Sequence, residues 1–144
     1  MTYNQVVKTI ETLLQNHKMI NEVKFASPLQ WINDNSVPVF PCALFTINDG
    51  QYNIGREVVY KINLWFLDKS GMEAEFEREI TSDMLQVAMD IINQLRLQSN
   101  SYGISTNISW TALTEKFEDY LTGVTLSFDL SVVNSFTSCD VPII

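Results

Sequence analysis

The chain predicts an α+β domain: a mostly antiparallel sheet of four to five strands, with two helices on one face. Three observations carry this. Apolar residues recur at helical spacing in two segments, about 3–18 and 72–97. They alternate with period two in long runs elsewhere. A length of 144 residues suits one domain that can build its own core. The expected order is α-β-β-β-α-β-β over a single domain, residues 1–144.

The first helix opens at Thr2, which with Gln5 has the spacing of a capping box. Val6, Ile10, Leu13, Leu14 and His17 follow on one stripe, predicting a helix over about 3–18. Val23 and Phe25 suggest a short strand within 21–26. Ser27 to Asn35 reads as a loop. Val37 to Asn48 reads as a strand apolar on both faces, with Val39, Ala43, Phe45 and Ile47 opposite Phe40, Cys42 and Leu44. Pro38 and Pro41 place its start at an edge or bulge.

Asn48-Asp49-Gly50 predicts a hairpin turn, and Gly55 a bulge or kink in a return strand over 51–67. Val58, Tyr60, Ile62, Leu64 and Phe66 share one face of that strand. Such a hairpin is long enough to project from the body at about 48–57. The second helix is expected over 72–97, on the stripe Phe76, Ile80, Met84, Val87, Ile91 and Leu95. A half-buried strand then carries Ile104, Ile108 and Trp110, and an irregular stretch covers 113–122. In the last strand Val124, Leu126, Phe128, Leu130 and Val132 face one way and Thr125, Ser127, Asp129 and Ser131 the other. Residues 134–144 form a C-terminal tail.

The composition points away from several classes of function. A net charge of −8, with nine scattered basic residues, opposes sequence-independent nucleic-acid binding, which needs clustered Lys and Arg. No apolar run approaches the ~20 residues that span a bilayer, so no membrane role is expected. The sequence Met1-Thr2-Tyr3-Asn4 lacks the pattern of a signal peptide. Cys42 and Cys139 are too few for a disulfide framework; Cys42, in an apolar run, reads as a small buried hydrophobe. The single histidine, His17, has no recognisable nucleophile motif to serve and no companion ligands at metal-site spacing. Glu73, Glu75, Glu77 and Glu79 fall at alternate positions, which diverge around a helix; their place in the first turns complements its dipole. Trp31, Trp65 and Trp110 read as core or interface packing. No catalytic residue, cofactor or metal site is expected.

The residues left over suit protein contacts. Asp49, Gly50, Tyr52 and Ile54 belong to the expected hairpin tip, and Phe136, Val141, Pro142, Ile143 and Ile144 make the tail apolar. These nine positions form the predicted interface.

The run Phe117-x-Asp119-x-Leu121-x-Gly123, the alternating strand after it, and the tail with Cys139-Asp140-x-Pro142 resemble small neck and tail-completion proteins of tailed bacteriophages. The texture is closest to versions from crAss-like phages. The resemblance implies a tail-terminator-like fold, rings of six or twelve copies in the virion, and contacts with neighbouring portal, neck or tail proteins. It also implies genomic DNA passing through without sequence-specific binding, and synthesis in the bacterial host cytoplasm. A soluble adaptor that binds a partner through the hairpin or tail is the alternative; a metal-dependent enzyme built on scattered carboxylates ranks third.

Overall fold

The computed structural model describes residues 2–28, 30, 39–69, 74–98, 101–115 and 121–133. Helix α1 (Tyr3–Gln15) leads to β1 (Glu22–Lys24), β2 (Cys42–Asn53) and β3 (Glu57–Lys69). Helix α2 (Ala74–Leu97) precedes β4 (Gly103–Ile104), β5 (Ser109–Glu115) and β6 (Leu121–Val133). The six strands form one sheet in the order β1-β2-β3-β6, with β4 and β5 both pairing the far side of β6. Only the β1–β2 pairing is parallel; the others are antiparallel. The fold is therefore α+β, with one strand more than the four to five expected.

Helix α1 starts as its sequence dictates. The Thr2 hydroxyl accepts the Gln5 N–H at 3.3 Å, and the Gln5 side chain accepts the Thr2 N–H at 2.8 Å. Val6, Ile10, Leu13 and Leu14 are buried along one stripe. They meet Met84, Val87, Ala88, Ile91 and Leu95 of α2 over one face of the sheet. That face presents Ala43, Phe45 and Ile47 from β2, Ile62, Leu64 and Phe66 from β3, and the even-numbered residues of β6 from Val124 to Val132. Tyr102 closes the far end of α2: its hydroxyl donates to the Leu95 carbonyl at 2.8 Å, one of the acceptors that a helix end leaves without a helical partner.

The opposite face is apolar only at one end. Cys42, Leu44, Leu67 and Leu121 are buried there, with Ala26, Phe40, Trp65 and Leu113 packed against them. This explains why 42–47 is apolar without alternation: both sides of β2 are covered over that span.

Helix α1 ends at Gln15, short of the expected 18, and two boundaries after α2 also differ from expectation. The strand carrying Ile104 and Trp110 is broken in two. Ile104 faces Leu130 and Ser109 faces Ser127, so five steps along this chain match three along β6. The surplus is looped out, and Ser105 anchors the break: its N–H donates to the Asp129 carbonyl at 3.1 Å and its hydroxyl accepts the Asp129 N–H at 3.2 Å. The stretch expected to be irregular, 113–122, is strand up to Glu115 and again from Leu121. Cross-strand pairing with β6 overrides its weak local alternation.

Phe128 is 3% exposed and lies opposite Ile62, in the layer that both helices cover. Phe128→Ala is expected to cost roughly 3–5 kcal/mol, from lost burial and a residual cavity; denaturant unfolding checks it, and a change below about 1 kcal/mol would refute this placement. Thr46 is buried and its Oγ1 has no hydrogen-bond partner among the described residues. Thr46→Val should therefore stabilise the chain by about 1 kcal/mol, measured in the same way.

Candidate protein interface

The hairpin turn lies five residues later than its sequence suggests. Asp49 and Gly50 sit inside β2, opposite Lys61 and Tyr60. Gly50 is there because β3 passes so close that a Cβ would collide with the Val59 carbonyl. The reversal is Asn53-Ile54-Gly55-Arg56, closed by the Arg56 N–H donating to the Asn53 carbonyl at 2.9 Å. Gly55 takes φ 77°, the positive value that the third residue of such a turn demands. The Asn53 amide also donates to the Glu57 carboxylate at 3.1 Å across the base of the turn.

The hairpin leaves the body at a bulge. Register shifts between Thr46 and Asp49, and the Ile47 carbonyl is taken by the Tyr3 hydroxyl at 2.9 Å. The Tyr3 ring tilts against Tyr60, 6.1 Å between centroids. The start of α1 thus pins the root of the arm. Beyond it, every residue from Asn48 to Arg56 is exposed, Tyr52 to 57% and Ile54 to 86%. Strand β3 is supported over its whole length by β6, out to Glu57 opposite Val133. The exposed part is therefore the outer half of β2 and the turn, mounted on a paired strand.

Of the predicted interface residues, Asp49, Gly50, Tyr52 and Ile54 share this arm. Tyr52 faces Val58 and so lies on the helix-covered side; Asp49 points the other way, with its Oδ1 accepting the Gly50 N–H at 2.7 Å. Phe136, Val141, Pro142, Ile143 and Ile144 lie outside the described residues, as do Trp31, Glu73 and Cys139.

A second surface escaped the sequence reading. Between α2 and β5 runs an open groove of about 260 Å³, lined by Leu85, Met89, Ile92, Ile108, Trp110 and Leu126. Helix α2 covers β3 and β6 but leaves β5 bare, so Trp110 is 51% exposed and Met89 45%. Ser109 through Ala112 are exposed on both faces of the strand. The signal available was Met89, which lies outside the main apolar stripe of α2, and the unbroken uncharged run Ser109 to Thr114.

His17 and Cys42 have structural employment. The Nδ1 of His17 accepts the Met19 N–H at 3.1 Å, which fixes the other nitrogen as donor to Asp90 Oδ2, also 3.1 Å away. Both ring nitrogens are then engaged in fastening the end of α1 to α2, and no lone pair is left for a base or a ligand. Cys42 is buried, and desolvation, with the nearby charges of Glu22 and Asp68, pushes its thiol well above the ordinary range. Among the described residues helix α2 spans Ala74–Leu97, and Glu75, Glu77 and Glu79 lie on it. Among the described residues, no cluster of three or more His, Cys, Asp or Glu side chains could hold a metal ion. No helix among them is long and apolar enough to cross a membrane.

The chain matches no known protein-family profile. No curated protein sequence matches it either.

Burial raises the Asp68 carboxyl above its usual range; the Lys69 N–H, donating to Asp68 Oδ1 at 2.8 Å, opposes this, and Asp83 adds to it. The folded chain therefore holds this proton more tightly than the unfolded chain does. Its stabilising contribution is present in acid and is lost as pH rises through the raised value. Asp68→Asn keeps an acceptor for the Lys69 N–H. It should raise the melting temperature at neutral pH and lose that advantage below the ordinary carboxylate range. A difference that is constant with pH, in thermal unfolding, would assign the effect to packing instead.

Proposed function

We propose that this chain is a structural subunit of the head-to-tail connector of a tailed bacteriophage, of the neck or tail-completion type. Copies assemble into a ring, of six or twelve in proteins it resembles, that extends or seals the DNA channel and docks tail components. The observation that carries this reading is the arm: an exposed half-strand ending in Ile54 at 86% exposure, held on a fully paired scaffold strand. An exposed strand edge that carries Tyr52 and Ile54 is suited to docking on a neighbour, through backbone hydrogen bonds and side-chain insertion. The net charge of −8 supports the same reading, since an acidic wall repels duplex DNA and lets it slide. An adaptor module would use the same arm on an unrelated partner, and stoichiometry separates the two.

The test is a reconstruction of the virion together with incorporation of an arm variant. Replacing residues 52–58 by Asn-Gly joins Gln51 to Val59, which already face each other, through a two-residue turn. Its melting temperature should stay within about 5 °C of the parent, while its incorporation into particles is lost. Isolated single copies in the virion, absence from it, or normal incorporation of the shortened arm would each overturn the proposal.

A further inference from the structure

The sheet ends in two dissimilar edges. On one side, β1 pairs β2 only at Cys42–Leu44, and beyond that point no strand flanks Asn48–Gln51 among the described residues. On the other side, among the described residues, β5 pairs only β6. Natural sheets blunt an exposed edge with charge, proline or a bulge. The β5 edge from Ser109 to Thr114 has none of these: it reads Ser-Trp-Thr-Ala-Leu-Thr, strong in β-formers. An unprotected edge beside an apolar groove fits an incoming strand whose alternate side chains need cover.

The geometry points to the arm of a second copy as that strand: the outer edge of β2 at Asn48–Gln51 pairs with β5 of its neighbour, and Ile54 seats in the groove between α2 and β5. This rests on the ring reading for the choice of a second copy. The side chains match face by face. In a sheet continued from one copy into the next, the helix-covered faces are shared. Tyr52, opposite Val58, and Trp110, opposite Leu126, then lie on one side, together with Met89 and Ile92. Asp49, Gln51 and Asn53 fall on the other side, where β5 offers Ser109 and Thr111. Tyr52 then falls on the apolar side of β5, and Asp49, Gln51 and Asn53 on its polar side. Because the two edges differ, the contact is head-to-tail, which closes into a ring when the rotation allows.

The experiment uses the full chain and two variants. The acceptor variant carries Thr111→Lys and Met89→Glu, both at exposed positions; the donor variant has residues 52–58 replaced by Asn-Gly. If the double change lowers the melting temperature, Thr111→Lys alone takes its place. Sedimentation velocity and hydrogen exchange are followed against concentration up to millimolar. The parent chain should associate, gaining protection at 48–51 and 109–114 together. Each variant alone should associate roughly tenfold or more weakly. Their mixture should recover a one-to-one dimer and nothing larger, since the acceptor variant keeps Tyr52 and Ile54 and the donor variant keeps an unaltered β5 edge and groove. An acceptor variant that associates like the parent, a mixture that stays monomeric, or a parent chain that never gains protection at both edges overturns the inference. Failure of the connector role is read separately, in the virion: a chain absent from particles leaves this pairing intact, and an acceptor variant that still associates leaves the connector role intact.

Discussion

The pairing of β3 with β6 is the constraint on which everything else rests. Its register runs without a break from Glu57 opposite Val133 to Lys69 opposite Leu121. Because side chains alternate, this single register sends Ile62, Leu64, Phe66, Leu126 and Phe128 to one face and Lys61, Asn63, Ser127 and Asp129 to the other. A slip of one residue would turn the core outward. The two helices can lie only on the side so defined, and their apolar stripes are wide enough to cover β2, β3 and β6.

That cover runs out before the sheet does. Helix α2 lies over the centre, α1 spans towards β1, and β5 is left half bare beside the groove. At the other side the bulge at Ile47 ends the buried part of β2, and Tyr3 holds the departing strand at its root. The chain thus has its most completely buried ladder in the middle and exposed apolar side chains at both margins, Tyr52 and Ile54 at one and Met89 and Trp110 at the other, with Phe25, Val39, Phe76, Leu97 and Val133 exposed elsewhere. Contacts made at the margins would leave the central ladder undisturbed. The engaged nitrogens of His17 and the buried thiol of Cys42 fit the same picture, in which polar and reactive groups fasten the fold.

The sequence by itself determined the elements whose signal is local and repeated. The capping box at Thr2 and Gln5, the stripe of α2 from Ile80 to Leu95, and the period-two alternation of β3 and β6 each read correctly because successive residues repeat the same in-or-out choice, whereas Phe76, the first residue of the expected stripe, is 49% exposed. It also marked Tyr52 and Ile54 as surface residues of a hairpin. Tertiary structure alone decided the rest. Asp-Gly at 49–50 is a strong turn signal, yet the glycine is used for close approach to Val59, and the reversal falls at Gly55, because pairing with β3 extends β2 past it. The split between β4 and β5 is set by β6, against which the surplus residues loop out. The uncharged run Ser109 to Thr114 hints at the bare edge of β5 without deciding it, since whether a strand is flanked, and how far a helix reaches across a sheet, depends on what the other elements cover.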